Sequence, residues 1–147
     1  MLFTAAEWGY HPVGIDLRQT GVEALAKRGC EAYCVPIEEL DTSGRFSVIS
    51  LSNALTSVPY PRTALTAAYR LLKPGGALLC STPNRSAMVW RILDETGWNP
   101  YWAELEHYHQ FTFDALCKLL EEYGFSPLEY NISERIPAGM DVIALKP

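Results

Sequence analysis

The run Arg45-Phe-Ser-Val-Ile-Ser-Leu-Ser52 and the residues after it carry the strongest indication of the fold. The run has no charge beyond Arg45 and predicts a β-strand. Pro61 opens a helix that we expect to run through Leu72, because proline is favoured at the first helical position. The turn Lys73-Pro-Gly-Gly76 then leads into a second predicted strand, Gly76-Ala-Leu-Leu-Cys-Ser-Thr82. This order predicts a βαβ unit with two parallel strands.

The same alternation of helix and strand precedes this unit. Residues 2–8 predict a short helix, and the run from His11 to Asp16 predicts a strand that starts near a proline. Residues 18–28 predict a helix that ends at Gly29, and residues 30–35 predict another strand. We therefore expect a parallel sheet with helices on both faces.

The rhythm changes after Thr82. Residues 83–111 interrupt the alternation and predict an irregular insertion, after which residues 112–123 predict a helix. Two final strands, 126–132 and 141–146, are separated by Pro137-Ala-Gly139 and are close enough to pair as an antiparallel hairpin. We expect one α/β domain over residues 1–147, with a single, mostly parallel sheet that ends in this antiparallel hairpin.

Composition and charge exclude several classes of protein. The chain has 147 residues, of which 48% are hydrophobic and 20% charged, as is typical of one globular domain. Its net charge of −5 disfavours binding to nucleic acid. Polar residues and prolines interrupt the longest uncharged run, so we expect no membrane span and no membrane partner. The first residues lack a basic leader and the four cysteines lack a disulfide framework, so we expect a cytoplasmic protein.

Several segments together resemble the class I S-adenosylmethionine-dependent methyltransferases that act on small molecules. Singly each is common, but their order and spacing are specific, and they extend over nearly the whole chain. They are Val13-Gly-Ile-Asp16, Phe46 to Ser52, Leu71 to Leu79, Ser81-Thr-Pro-Asn84, and Glu106-His-Tyr-His-Gln-Phe-Thr112 followed by a helix and Gly124-Phe125. The resemblance implies a Rossmann-like fold in which strand 141–146 lies antiparallel beside strand 76–82. It also implies S-adenosylmethionine as cofactor and a small-molecule methyl acceptor.

The first group of predicted cofactor residues follows the first two strands. Asp16, with Leu17 beside it, stands where a carboxylate can accept hydrogen bonds from both ribose hydroxyls. The alternative is that Asp16 caps the helix that starts near Arg18. Ile37 and Glu38 resemble the family's loop over the adenine, although Glu38 is equally compatible with a solvated loop.

The second group follows the strand that ends at Ser52. The resemblance places Ser52 and Asn53 along the methionine part of the cofactor. Relatives often carry an acidic residue and a histidine in this stretch, whereas this chain has Asn53-Ala-Leu-Thr-Ser57. The Lys73-Pro-Gly-Gly76 turn is interpreted as structural.

His107 and His109 are the candidate catalytic residues. Methyl transfer is a direct displacement at a sulfonium, and a general base is needed only when the acceptor is not already nucleophilic. Either histidine is a candidate base, with Glu104 or Glu106 orienting the imidazole. The alternative is that both histidines only shape a lid. No metal-ligand spacing is present, so we expect no metal.

The insertion is rich in aromatic residues. They either line an apolar acceptor pocket beside the carboxyl edge of the sheet, because aromatic rings give large contact areas, or attach the insertion to the sheet. The sequence does not identify the acceptor atom as oxygen, nitrogen or carbon. The residues are Trp90, Trp98, Tyr101, Trp102 and Tyr108.

The resemblance also implies a strand and a glycine-rich G-x-G loop before Leu2, and this chain has neither. We therefore expect the chain to be a truncated form of a larger enzyme. An alternative is a non-catalytic methyltransferase-like protein that binds or dimerises, and a homo-oligomer is compatible with both hypotheses. A nicotinamide-binding Rossmann domain also expects an acidic residue after the second strand, but the final hairpin and Ser81 to Asn84 fit it poorly.

Overall fold

The computed structural model describes residues 2–134, 136 and 138–147. These residues form two compact units, the first ending at Asp41 and the second running from Thr42 to Pro147. That all of residues 1–147 form a single domain stays a prediction.

The first unit is a small α/β layer. Its elements are α1 (Leu2–Glu7), β1 (Val13–Ile15), α2 (Gln19–Ala26), β2 (Glu31–Tyr33) and a 3₁₀ turn (Ile37–Glu39). Strands β1 and β2 pair in parallel, with Gly14 opposite Ala32. A Cβ on Gly14 would collide with the Leu25 side chain, so glycine allows α2 to pack closely on β1.

The second unit contains a four-stranded mixed sheet in the order β3-β4-β6-β5. Strands β3 and β4 are parallel, while β6 is antiparallel to both β4 and β5. The last strand therefore lies beside β4, as the sequence predicted. The strands are β3 (Phe46–Ser52), β4 (Leu72–Pro83), β5 (Ser126–Ile132) and β6 (Gly139–Leu145).

Helices connect and cover these strands. A short α3 (Ala54–Ser57) and α4 (Pro61–Leu71) link β3 to β4, and α6 (Phe113–Glu122) precedes β5. The predicted irregular insertion contains a helix, α5 (Met88–Glu95), and a 3₁₀ turn, Pro100–Trp102. None of the described helices is long and apolar enough to cross a membrane.

The prediction of one continuous sheet is wrong. Strands β1 and β2 form a separate two-stranded sheet, and among the described residues only β4 pairs with β3. A strand joins a sheet through backbone hydrogen bonds to a neighbouring strand, and no described strand pairs with the other edge of β3. The seven-residue β3 is partly open, and Val48 is 57% exposed.

Two strand boundaries differ from the prediction. Strand β4 begins at Leu72 rather than at residue 76, because Leu72 pairs opposite Phe46 and the register then jumps to Ala77 opposite Val48. The Lys73-Pro-Gly-Gly76 turn is thus a bulge within β4, where Gly75 has a φ of 73°. Strand β6 begins at Gly139 rather than at residue 141, and Pro137 of the predicted turn lies outside the described residues.

The core of the second unit lies between its helices and its sheet. Helix α4 has apolar residues at helical spacing, and one face of the helix is buried. Lys146 fixes the carboxyl end of α4, because its Nζ donates to the carbonyl oxygens of Tyr69 and Leu72 at 2.7 and 2.9 Å. The fully or nearly fully buried side chains include Leu65, Leu71, Leu78, Leu116, Leu120, Met140 and Val142.

Candidate functional site

In the first unit, the predicted adenosine-binding residues come together at one edge. Asp16 directly follows β1 and the Ile37–Glu39 turn follows β2, and the carboxyl ends of parallel strands meet at the same edge of a sheet. The Cys34 Sγ lies 3.5 Å from the carbonyl oxygen of Leu17, which links the two loops. Leu17 and Glu38 are exposed and Ile37 is half-buried, so this edge offers both apolar and polar contacts to a ligand.

The Asp16 carboxylate is held in one orientation by Arg18. Oδ1 accepts hydrogen bonds from the Arg18 backbone N–H at 2.9 Å and from Nε at 3.1 Å. Oδ2 accepts a third from Nη2 at 3.1 Å. These hydrogen bonds hold the pKa of Asp16 below its ordinary value. Helix α2 has Arg18 rather than Asp16 as its N-cap residue, so the helix-capping alternative is wrong in position.

In the second unit, Ser52 and Asn53 stand at the carboxyl end of β3. Asn53 has a left-handed backbone, with φ of 56° and ψ of 8°. Its N–H donates to the carbonyl oxygen of Ser81 at 2.8 Å, and its own carbonyl accepts the Thr56 hydroxyl at 2.9 Å. The backbone is therefore fixed on both sides of an exposed side chain. Asparagine tolerates this conformation better than most residues, and such strain clusters at functional sites.

The histidine segment is docked on α3. The backbone N–H groups of Tyr108 and His109 both donate to the carbonyl oxygen of Thr56, at 2.8 and 3.2 Å. Thr56 is buried and bonded to Asn53, so the structure brings both histidines near the end of β3.

The two histidines differ in their partners. The His107 side chain is 8% exposed, and its Nδ1 lies 2.7 Å from Glu104 Oε2, at the distance of an ion pair. At this distance the carboxylate can orient the imidazole. The His109 Nε2 lies 3.2 Å from the carbonyl oxygen of Pro59, so His109 is tied to the loop before α4. Of the two candidate glutamates, the structure pairs Glu104 with a histidine.

The insertion uses its aromatic residues in two ways. Trp90 is 1% exposed and stacks on Tyr101 with ring centroids 4.8 Å apart, and Trp102 contacts Trp90 edge-on. Trp90 and Tyr101 pack with Ala138, so both hold the insertion in place. Trp98 and Tyr108 are largely exposed. The acceptor pocket therefore stays a prediction, with the exposed aromatic residues as its candidates.

A groove of about 680 Å³ lies elsewhere in the second unit, between the start of α4 and one face of α6. Its lining includes Tyr60, Arg62, His109, Phe111 and Lys118, and it includes none of the tryptophans of the insertion.

Among the described residues, no group of histidine, cysteine and acidic side chains has the arrangement of a metal site. Burial raises the pKa of the Cys80 thiol to about 12, which makes this thiol unreactive.

Sequence reasoning missed three residues of the candidate site. The sequence pattern marks Arg18 only as the start of a helix, although an arginine two residues after a carboxylate can fold back on it. Thr56 supplies its backbone carbonyl, which any residue type carries, so no sequence signal marks it. Gly21 carried a usable signal in the sequence, because a glycine inside the predicted helix of residues 18–28 indicates a close approach. In the structure, a Cβ at Gly21 would lie 2.7 Å from Asp16 Oδ2.

The chain belongs to a family described as "Methyltransferase domain", whose profile matches residues 1–130. Relatives among curated proteins include ubiquinone biosynthesis O-methyltransferases. The protein from Bordetella avium is 33% identical over an alignment of 148 positions, gaps included, that covers 86% of this chain and 59% of the relative. The protein from Cereibacter sphaeroides is 31% identical, covering 78% of this chain and 42% of the relative. The chain thus spans about half the length of these relatives.

Solved structures share the fold. A Burkholderia thailandensis 1,6-didemethyltoxoflavin-N1-methyltransferase with bound S-adenosylhomocysteine has a TM-score of 0.76 and 20% identity, covering 98% of this chain and 64% of that one. An Archaeoglobus fulgidus SAM-dependent methyltransferase has a TM-score of 0.79 and 14% identity, covering 99% and 80%. The [4+2]-cyclase SpnF has a TM-score of 0.73 and 17% identity, covering 99% and 69%. The fold is that of the Rossmann-like methyltransferases.

Proposed function

We propose that this chain is the cofactor-binding and acceptor-binding part of an S-adenosylmethionine-dependent methyltransferase that acts on a small molecule. The observation that carries the proposal is the Asp16 carboxylate at the carboxyl end of β1, next to the Ile37–Glu39 turn. A carboxylate in this position of an α/β sheet is suited to accept hydrogen bonds from ribose hydroxyls. The family and its O-methyltransferase relatives support the same reaction.

The proposed cofactor contacts divide by unit. In the first unit, Asp16 binds the ribose, while Leu17 and Ile37 contact the adenine and Glu38 accepts from its amino group. For the second unit, the resemblance to the family alone supports Ser52 and Asn53 as contacts of the methionine part of a cofactor. These residues suit the group chemically, because ribose and amino groups donate hydrogen bonds and the adenine ring needs apolar contact.

The bound cofactor supplies an electrophilic methyl group on a sulfonium, and the protein supplies position and a base. The names of the relatives favour an acceptor hydroxyl. We assign the base to the Nε2 of His107, since its Nδ1 already faces Glu104. Nε2 would take the proton of the acceptor hydroxyl while the methyl group passes from the sulfonium sulfur to the acceptor oxygen, which leaves the cofactor as a thioether, and Glu104 would stabilise the resulting imidazolium. His109 positions the loop through Pro59.

The experiment that tests this assignment compares His107→Asn with His109→Asn in methyl transfer. We expect His107→Asn to lower kcat by about 10²-fold or more, as loss of a general base does, with little change in cofactor affinity. His109→Asn should change kcat far less. Equal kcat in wild type and His107→Asn would mean that His107 only shapes the lid.

A second candidate is a binding or dimerising protein without methyl transfer. It is favoured by the edge of β3 that no described strand covers, whose uncharged residues offer backbone groups to another strand. Homo-oligomers formed through this edge are compatible with both functions. We further propose a cytoplasmic location and no nucleic acid or membrane partner, and the net charge of −5 supports the absence of nucleic acid.

A further inference from the structure

Arg18 occupies most of the hydrogen-bonding capacity of Asp16. A carboxylate offers about four lone-pair positions on its two oxygens. The Arg18 backbone N–H and Nε both bond to Oδ1, and Nη2 bonds to Oδ2. Oδ1 is therefore saturated, and one position remains on Oδ2.

Gly21 in α2 lies against the same carboxylate. An ideal Cβ at Gly21 would lie 2.7 Å from Oδ2 and 3.0 Å from the Asp16 Cγ. The Asp16 side chain is 28% exposed and that of Arg18 is 81% exposed. The carboxylate thus sits between the glycine backbone and a guanidinium that is itself open to solvent.

A ribose with two neighbouring hydroxyls needs acceptor positions on both carboxylate oxygens. While the Arg18 guanidinium is bonded to Asp16, Oδ1 has no acceptor position left for a ribose hydroxyl. When the guanidinium leaves, the Arg18 backbone N–H still orients Oδ1, and one further position opens on each oxygen. Two-hydroxyl recognition and the Arg18 side-chain contact therefore exclude each other.

We propose that the Arg18 guanidinium competes with a nucleoside for Asp16, so that Arg18 sets both the affinity of this site and its selectivity for ribose. The inference rests on the proposed role of Asp16 in binding the ribose of the cofactor. It adds that a residue of the chain itself competes for the hydrogen-bonding positions of this carboxylate. A nucleoside with only one of the two neighbouring ring hydroxyls, such as 2′-deoxyadenosine, can use the remaining position on Oδ2 and does not have to displace Arg18.

The test is an NMR titration of the 147-residue chain with adenosine and with 2′-deoxyadenosine at millimolar concentrations. Arg18→Ala should bind adenosine about two- to fivefold more tightly than wild type, since an exposed ion pair contributes up to about that factor. Its affinity for 2′-deoxyadenosine should change by less than about twofold by the same reasoning. Lys27→Ala, which removes an exposed charge at the end of α2, is the matched control and should change neither affinity.

A second readout checks that the ion pair exists in solution. The carboxyl resonance of Asp16 should titrate at a higher pKa in Arg18→Ala than in wild type, because the side-chain hydrogen bonds that lower the pKa are lost while the backbone hydrogen bond remains. Arg18→Lys keeps the charge but not the planar fork, so both readouts should fall between those of wild type and Arg18→Ala.

The outcomes separate this inference from the proposed function. If Asp16→Asn weakens adenosine binding while Arg18→Ala leaves it unchanged or weaker, the competition is overturned and the role of Asp16 stands. If Asp16→Asn has no effect on adenosine, both are overturned. Absence of adenosine binding in both wild type and Arg18→Ala also overturns the competition. Tighter adenosine binding in Arg18→Ala, without a matching gain for 2′-deoxyadenosine, supports it.

Discussion

Asn53 offers a substitution pair that separates backbone strain from side-chain chemistry. Its φ of 56° lies in the left-handed region, and its N–H and carbonyl are both bonded. Alanine in this region costs about 1–2 kcal/mol, whereas asparagine is partly tolerated, so Asn53→Ala should lower the unfolding free energy by about 1 kcal/mol. In Asn53→Gly the strain is relieved, but the unfolded chain gains entropy. The net change should stay within about 0.5 kcal/mol.

Both variants lose the same carboxamide. If it bonds to the cofactor, both should weaken cofactor binding by a similar factor of about 3–10, the range for a neutral hydrogen bond. The assays are urea unfolding followed by tryptophan fluorescence, and calorimetric titration of the cofactor into the variants joined to an N-terminal strand and a G-x-G loop. Ser57→Ala is the control, because the Ser57 hydroxyl donates to the backbone carbonyl of Asn53 at 3.2 Å and not to its side-chain carboxamide. Equal unfolding free energies of Asn53→Ala and Asn53→Gly would refute the backbone strain at this position. Undiminished cofactor affinity in both variants would refute a hydrogen bond from the Asn53 carboxamide to the cofactor.

Two further predictions concern the insertion. Trp90→Ala should lower the unfolding free energy by about 3–5 kcal/mol in urea unfolding, since Trp90 is buried and stacked on Tyr101. Hydrogen bonds from Asn99 and Trp102 lower the pKa of Asp94 below its ordinary 3.8. The stability that these hydrogen bonds add is present in full at pH values above the ordinary pKa. It is lost as the pH falls through the lower pKa of the folded state. The melting temperatures of wild type and Asp94→Asn should therefore converge in acid, and a constant difference would contradict this.

The sequence was sufficient for the elements that depend on local pattern. Phe46–Ser52 is a strand with the predicted bounds, and α4 starts at Pro61. The place of β6 beside β4 was also predicted, because the resemblance to the family carries strand order. The Lys73 to Gly76 turn was predicted, but its inclusion in β4 as a bulge was not, since register depends on the partner strand.

The single sheet was the main error in the fold. It assumed that strands of similar pattern pair into one sheet, but pairing requires a neighbour for every strand, and β3 has one described neighbour only. In the site, the sequence indicated Asp16, His107 and His109. It did not indicate the Arg18 contact, because side-chain pairing across a turn depends on rotamers rather than on residue pattern.

Cofactor binding is the critical test of the proposed site. The measurement is calorimetric titration of S-adenosylmethionine into the chain alone and into the chain joined to an N-terminal strand and a G-x-G loop. Glycine lets the backbone approach the methionine end of the cofactor closely, so we expect little binding by the chain alone and clear binding by the joined protein. Asp16→Asn in the joined protein should weaken binding about tenfold or more, the scale of a charged hydrogen bond. Micromolar binding by the chain alone, or an unchanged affinity in Asp16→Asn, would contradict the proposed site.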